Sequence, residues 1–203
     1  MNRLRAILLS LTALSLLPSA GLADPARYQA LDARGKPAKP HAGVRPHACV
    51  LDTGSGLVWE VKTGGKGTAD KDWLYSWYDP SLENQKLPVG YPDSGRCPSR
   101  GRCDTQHYVA DLNRRGLCGF KDWRVPTAAE LEGLLRPDVS VPGEAKIDTT
   151  YFPNTPAGYF WTADYVPSEV GGAMLVSFES GLTLEGNSGS GAHLRLVRGP
   201  AKR

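Results

Sequence analysis

Glycine and proline interrupt this chain so often that long regular elements have little room to form. The chain has 23 glycines and 16 prolines among its 203 residues, and both residues disfavour the interiors of helices and strands. Helical bundles and coiled coils are therefore excluded, and short elements joined by long loops are expected. Because 40% of the residues are hydrophobic, the chain can still bury a core, and its length suits one domain.

The first 23 residues have the pattern of a secretory signal peptide. Arg3 and Arg5 precede an apolar run over residues 6–17, and small residues follow up to Ala23. The run is too short to span a bilayer, and no cysteine stands at the cleavage point to carry a lipid anchor. We therefore expect an exported protein, periplasmic or secreted, that is not membrane-spanning.

The net charge gives no argument for nucleic-acid or membrane-surface binding. Removing residues 1–23 takes two arginines and no acidic residue from a total of 24 basic and 21 acidic side chains. The remaining chain is thus close to neutral, whereas polyanion binders carry a clear basic excess.

The four cysteines lie after the leader, and an even set in an exported chain predicts two disulfides. Three pairings are open. Only five residues separate Cys97 from Cys103, which favours this pair and leaves Cys49 with Cys118. A zinc site is the weaker alternative, because this spacing is too long for a zinc knuckle.

The region after the leader divides into a lead-in and a strand-rich start. Residues 24–48 contain four prolines and few large apolar side chains, so we expect an extended or disordered segment that contributes no packed element. From Cys49 onward, apolar residues surround the turn sequence Asp52–Gly56. This pattern predicts two strands joined by a turn.

Two short helices are predicted in the middle of the chain. Asp104 can cap the first helix and Gly116 can end it. Thr127 and Glu130 have the spacing of a capping box for the second helix, and Pro137 would stop it.

The last third returns to strands. Apolar and aromatic residues recur at 159–162, 173–178, 182–184 and 193–198, with turn residues between them. Two short helices packed on antiparallel strands with long loops indicate an α+β fold.

Three groups of segments carry a family resemblance. They are GLVWE at 56–60, LCGFKDWRVPTAAEL at 117–131, and a closing group of YFWT at 159–162, FESG at 178–181 and LRLVR at 194–198. In this order they resemble the DUF1566 family, which includes the C-terminal domain of the Legionella collagen-like adhesin. The resemblance covers about residues 49–199, and the DWRVPTAAEL block is its specific part.

The resemblance implies a C-type-lectin-like fold, distantly related to that of the formylglycine-generating enzyme. Its members are mostly exported bacterial proteins, and the adhesin domain is associated with sulfated glycosaminoglycans. This chain departs from the family pattern at Ser55, where threonine is frequent, and at Leu196, where the closing strand often has cysteine. The second departure puts the family's usual disulfide in doubt.

The matching segments supply residues with structural roles: Trp59, Asp122, Trp123, Arg124, Pro126, Thr127 and Glu130. Arg124 next to Asp122 is predicted to form a buried pair that holds the loop. We favour a structural role for this pair over catalysis, because no nucleophile or metal ligand accompanies it.

The sequence Asp52-Thr53-Gly54 resembles the active-site turn of an aspartic protease. That chemistry needs two carboxylates, so a single copy would require a homodimer that uses Asp52. A glycine-rich turn before the core residue Trp59 explains the same sequence. A hydrolase is therefore the alternative function.

Other catalytic and metal-binding patterns are missing from the sequence. The four histidines, His41, His47, His107 and His193, lack the spacing of a metal motif. The glycine-rich stretch 186–191 lacks the lysine of a phosphate-binding loop. We therefore expect no cofactor, no metal and no enzymatic activity.

Two groups of side chains are candidates for ligand binding. Arg96, Arg100 and Arg102 surround the short cysteine loop and could form an anion site, although a scattered set of solvated arginines is favoured. Trp73 and Trp77 could stack on sugar rings, but alternation with Tyr75 favours burial in the core. The sequence thus predicts an exported binding or adhesion module whose partner is an anionic glycan or an envelope protein, with no nucleic-acid partner.

Overall fold

The computed structural model describes residues 27–43 and 46–199; the predicted signal peptide lies outside these ranges. The elements follow one another as β1 (Tyr28–Leu31), β2 (Cys49–Asp52), β3 (Val58–Glu60), a 3₁₀ helix (Pro80–Gln85), α1 (Thr105–Arg115), a second 3₁₀ helix (Leu117–Gly119), α2 (Ala128–Glu132), β4 (Tyr159–Val166), β5 (Gly172–Ser177), β6 (Thr183–Asn187) and β7 (Val197–Arg198). The predicted α+β class, with short helices and antiparallel strands, is confirmed.

The strands form two antiparallel sheets. The first sheet has the order β1-β2-β3-β7, and the second has the order β4-β5-β6. The hairpin around residues 52–57 pairs Val50 with Trp59, as the turn sequence predicts. The chain returns to the first sheet only at its end, where Val197 pairs with Trp59.

The core consists of two clusters of buried side chains. One cluster contains Tyr108 and Leu112 of α1 together with Trp123 and Trp161. The other contains Leu131 of α2, Phe160 of β4 and Phe178, which directly follows β5, among others. The helices therefore cover the sheets with one apolar face each.

Local sequence signals define both helices. The Asp104 carboxylate accepts a hydrogen bond from the His107 amide at the start of α1, and Gly116 ends α1 in the left-handed conformation. Thr127 and Glu130 form the complete capping box of α2. Both cap predictions are confirmed, although α2 ends at Glu132, before Pro137.

The structure pairs the cysteines as predicted, Cys97 with Cys103 and Cys49 with Cys118. The second disulfide joins β2 to the short 3₁₀ helix after α1. It therefore ties the first sheet to the helical part of the chain.

Two expectations about extended segments need correction. Residues 28–31 of the lead-in form β1, pair with β2 and bury Tyr28, Ala30 and Leu31, so this segment does contribute a packed element. At the other end, Ala192 and His193 make isolated bridges, residues 194–196 belong to no strand, and only Val197–Arg198 is β7. Within the described ranges, no helix has the length and apolar character needed to cross a membrane.

Candidate ligand-binding site

The predicted aromatic stripe splits between the core and the surface. Tyr75 and Trp77 are only 2% and 3% exposed, and the Trp77 indole N–H donates to the Thr162 carbonyl at 3.1 Å. Trp77 therefore has no ring face for a ligand, which corrects its candidacy as a binding residue. Trp73 is half-buried and is held by a 2.8 Å hydrogen bond from its indole N–H to the Gly67 carbonyl.

Trp73 lies in the wall of an open cleft with a volume of about 590 Å³. Pockets that bind small ligands fall between about 300 and 1,000 Å³. The cleft combines aromatic, cationic, acidic and imidazole side chains: Lys66, Asp70, Asp72, Trp73, Leu74, Arg96, Pro156 and His193. It therefore brings one residue from each of the two predicted binding groups, Trp73 and Arg96, into one site.

Backbone pairing holds Arg96 beside the aromatic segment. The Leu74 amide donates to the Arg96 carbonyl at 3.1 Å, and the Arg96 amide donates to the Leu74 carbonyl at 2.7 Å. The Cys97–Cys103 disulfide follows directly. Because the backbone is fixed on both sides of Arg96, its side chain starts from a defined position at the cleft.

The other two arginines of the predicted anion site do not line the cleft. Arg102 forms a salt bridge with Asp111 at 2.5 Å, and Arg100 is exposed to solvent. Of the three predicted arginines, only Arg96 therefore belongs to this site.

The loop 63–72 supplies three lining residues of the cleft, Lys66, Asp70 and Asp72. The Asp70 carboxylate is buried and accepts hydrogen bonds from the amides of Lys66 at 2.5 Å and Asp72 at 2.8 Å. The loop ends are joined by a hydrogen bond from the Lys71 amide to the Thr63 carbonyl. Asp70 thus organises the loop from inside, and the exposed Lys66 side chain lies at the cleft.

His193 is the imidazole group of the cleft, and it is neutral at ordinary pH. Burial, and then the charge of Lys62, lower its pKa to about 4, although backbone groups of Trp73 and Lys71 act in the opposite direction. The ring packs 5.3 Å from that of Phe160. A neutral imidazole can donate or accept a hydrogen bond from a polar ligand.

A buried polar network lies along the same closing segment. The Glu60 carboxylate accepts hydrogen bonds from the Lys62 ammonium at 3.0 Å, the Tyr108 hydroxyl and the Leu196 amide. Arg195 donates to the Glu60 carbonyl at 2.6 Å. Burial lowers the pKa of Lys62, and Glu60 opposes that change. The network fixes the backbone two residues beyond His193.

The sequence pattern did not identify Lys66, Asp72 or His193 as site residues. Lys66 and Asp72 belong to a polar loop without a recognised motif, and His193 lies in a segment that predicts a strand. Their spacing along the chain carries no signal. Only the fold brings them next to Trp73 and Arg96.

The structure changes the predicted ion pair of the DWRVPT block. The Arg124 guanidinium contacts both carboxylate oxygens of Glu130, at 2.8 and 2.7 Å, whereas Asp122 pairs with Arg198. The predicted Arg124–Asp122 pair is therefore wrong. Glu130 is the better partner because the capping box already directs its carboxylate back toward the start of α2.

The Asp52 carboxylate is engaged by its own turn and by a neighbouring arginine. Its Oδ1 accepts hydrogen bonds from the amides of Gly54 at 3.0 Å and Ser55 at 3.2 Å, and its Oδ2 pairs with Arg27 at 3.2 Å. These contacts are those of an aspartate that closes a turn.

Comparison with known proteins identifies one family. No curated protein and no solved structure matches the chain. The family model described as the Lcl C-terminal domain matches residues 48–198. This segment contains both sheets except β1, both helices and every residue of the cleft, and the match confirms the DUF1566-type resemblance. The chain therefore belongs to the Lcl C-terminal domain family.

Proposed function

We propose that this chain is an exported binding module of the adhesion type that holds an anionic glycan in the cleft between Trp73 and Arg96. The observation that carries the proposal is the meeting of these two side chains in one cleft of about 590 Å³. The family membership supports an adhesion-related role. The two disulfides fit a protein of the periplasm or the cell exterior. A C-type-lectin-like fold is part of the same proposal.

The chemistry of the cleft suits a sugar better than an extended protein surface. An indole ring offers a flat apolar face to the C–H groups of a sugar ring. Arg96 and Lys66 can bind a carboxylate or sulfate group. Asp72 and His193 add hydrogen-bonding groups for hydroxyls. A protein partner from the envelope would need a broader contact area than this cleft supplies.

We propose a binding role and not an enzymatic one. The Asp52 carboxylate, which the hydrolase alternative would use, is already engaged by two backbone amides and Arg27. Proteolysis at acid pH that is lost in Asp52→Asn would restore that alternative.

A glycan array tests the proposal. The chain is expressed with its leader, purified after export and applied at low and high salt to an array that includes sulfated and uronate-containing polysaccharides. We expect binding to anionic glycans that weakens at high salt and is lost in Trp73→Ala. Arg100→Ala is the matched control and should bind normally. An empty array would contradict the proposal and would direct the search to envelope proteins.

A further inference from the structure

A second cavity lies between the turn that follows β2 and helix α2, and it is separate from the cleft. Its volume is about 400 Å³, which is within the range of pockets that bind small ligands. Leu57 and Trp59 form apolar parts of its wall, and Ala129 of α2 also lines it. None of its lining residues belongs to the cleft around Trp73. A ligand in this cavity would therefore contact a different set of side chains.

The wall of this cavity contains a buried hydrogen-bond donor that has no acceptor. Trp59 is 1% exposed, and within residues 27–43 and 46–199 its indole N–H has no hydrogen-bond partner. The other four of the five tryptophans, Trp73, Trp77, Trp123 and Trp161, each donate this N–H to a backbone carbonyl. Buried donors are normally paired, because an unpaired one has lost its water without a replacement. Trp59 is the exception among the tryptophans.

The sheet prevents Trp59 from moving to an acceptor within the chain. Trp59 pairs with Val50 of β2 on one side and with Val197 of β7 on the other. Its ring packs in the core cluster that contains Leu131 and Phe160. A shift of the indole would break this pairing and packing. The missing acceptor must therefore enter the cavity from solvent, as a water molecule or as part of a ligand.

The charges at the cavity are compensated by ion pairs, which favours an uncharged ligand. Arg27 pairs with Asp52 at 3.2 Å, and Arg124 pairs with Glu130 at 2.7 Å. Arg27, Asp52 and Glu130 are the charged side chains that line the cavity, and each is a member of one of these pairs. A charged ligand would lose its hydration without gaining an unpaired counter-charge.

The two carboxylates still offer acceptor sites to such a ligand. A carboxylate has about four lone-pair sites. Asp52 accepts hydrogen bonds from Arg27 and from the amides of Gly54 and Ser55, and Glu130 accepts two from Arg124 and one from the Thr127 amide. Each carboxylate therefore retains about one site for a donor. The cavity thus combines one donor, two acceptors and an apolar wall.

We infer that this cavity is a second binding site, which takes an uncharged secondary amide. The amide oxygen accepts the Trp59 indole N–H, and the amide N–H donates to the Asp52 or Glu130 carboxylate. The acyl methyl group packs against Leu57. A secondary amide is the small group that carries a strong acceptor, a donor and an apolar end together. It occurs both in a peptide and in an N-acetylated sugar.

Nuclear magnetic resonance of the ¹⁵N-labelled protein tests this inference, because each indole N–H gives its own signal. The signal that is lost in Trp59→Phe identifies Trp59. The probes are N-acetylalanine methylamide, N-acetylglucosamine and acetate. We expect one of the two amides to shift the Trp59 indole signal and to leave the Trp73 signal in place, and the tighter-binding amide identifies the source of the group. Acetate should bind about tenfold more weakly, because its charge has no unpaired partner in the cavity.

Ala129→Phe provides a variant that closes the cavity without changing the core, because Ala129 is exposed at the second position of α2. Gln106→Phe is the matched control, since Gln106 is exposed at the second position of α1 and does not line this cavity. The amide should no longer shift the Trp59 signal in Ala129→Phe and should shift it normally in Gln106→Phe.

Three results would overturn the inference. They are a Trp59 signal that neither amide shifts, which would leave a water molecule only at the N–H; an equal shift in Ala129→Phe; and acetate binding as tight as that of the amides. None of them would affect the proposed glycan function, because a ligand in the cleft is detected by the Trp73 signal instead.

Discussion

Arg96 and Leu74 exchange two backbone hydrogen bonds, which places the guanidinium-bearing residue directly beside the residue that follows Trp73. The contact joins the cysteine loop to the aromatic segment. Neither segment is part of a β-strand. This pair, with the hydrogen bond from the Ser94 amide to the Ser76 hydroxyl, sets the spacing between the aromatic and cationic walls of the cleft. Substitutions that disturb this backbone pairing should therefore weaken ligand binding even where the substituted residue does not line the cleft.

Gly95 allows this pairing, because there is no space for a side chain at its position. A Cβ atom on Gly95 would lie 2.3 Å from the Cys103 carbonyl oxygen and 2.5 Å from that of Leu74. We expect Gly95→Ala to lower the free energy of unfolding by about 2 kcal/mol and to weaken glycan binding. Denaturant titration measures the first effect. Gly67→Ala, whose Cβ would meet nothing within 4 Å, is the control, and an equal loss in both variants would contradict the explanation.

The two disulfides should differ in what they stabilise. Cys49 and Cys118 are 69 positions apart, whereas Cys97 and Cys103 are 6 apart. Loop-closure entropy therefore predicts a loss of about 4 kcal/mol when both cysteines of the first pair become serine, and about 2 kcal/mol for the second pair.

Of the two disulfides, only Cys97–Cys103 lies next to Arg96 in the chain. Loss of this disulfide should therefore weaken glycan binding more than loss of Cys49–Cys118 does. Urea titration and glycan binding of both double-serine variants, measured where each remains folded, separate the two effects. Normal glycan affinity without the Cys97–Cys103 bond would contradict the role given to this loop.

The ion pair between Arg124 and Glu130 can be distinguished from the sequence-based pairing by two substitutions. Burial alone would raise the pKa of Glu130, but hydrogen bonds from Arg124 and Thr127 lower it overall. Arg124→Ala leaves the buried Glu130 carboxylate without its cation and should cost about 3 kcal/mol of stability. Asp122→Ala breaks a largely exposed pair and should cost under about 1 kcal/mol. Equal losses of stability in the two variants, measured by thermal or urea unfolding, would favour the Arg124–Asp122 pair predicted from the sequence.

Signals that act over a few residues predicted their parts of the fold. Asp104 and Gly116 bound α1, and Thr127 with Glu130 begins α2, because caps use only the adjacent backbone. The spacing of Cys97 and Cys103 also carried enough information to pair the cysteines. Strand β1 was missed because Tyr28 is buried by pairing with β2 across a proline-rich segment, which no local pattern shows.

The cleft could be predicted only in part for a similar reason. Trp73 and Arg96 were candidates by residue type, and each came from a separate group. Nothing in the spacing of Lys66 or His193 along the chain indicates that these residues lie beside Trp73 and Arg96, because tertiary contacts rather than periodicity bring these segments together. Arg102 is withdrawn from the predicted anion site by its salt bridge with Asp111, and Arg100 does not line the cleft; neither fact can be read from the sequence.

His193 should make the protein less stable in mild acid. Its pKa is lowered from 6.5 to about 4 in the folded chain, so between these values the unfolded chain binds a proton that the folded chain does not. The free energy of unfolding therefore falls as the pH falls through this range, by about 1 kcal/mol per pH unit.

His193→Gln removes this titration and serves as the comparison. Urea titrations of both proteins at pH 4.5 and 7.5 measure how far the free energy of unfolding falls between the two pH values. This fall should be larger for the wild-type protein. Identical pH dependence of the free energy of unfolding in the two proteins would contradict the lowered pKa of His193.

The buried Glu60 network should tolerate loss of a donor better than loss of its acceptor. Glu60→Ala leaves the donors of Lys62, Tyr108 and Leu196 without their partner, and we expect a loss of about 4 kcal/mol. Lys62→Met removes one buried cation and leaves Glu60 with two donors, so its loss should be smaller. Urea unfolding of the two variants measures both, and a greater loss in Lys62→Met would contradict this order.

The most direct test of the binding cleft compares two arginines on the same loop. Binding of a hexuronate-containing oligosaccharide is measured by titration calorimetry for the wild-type protein, Arg96→Ala and Arg100→Ala. The cleft predicts at least a tenfold loss of affinity for Arg96→Ala and a change within about twofold for Arg100→Ala, because Arg96 lines the site and Arg100 does not. Unchanged affinity in Arg96→Ala, or an equal loss in both variants, would contradict the assignment of the cleft as the ligand site.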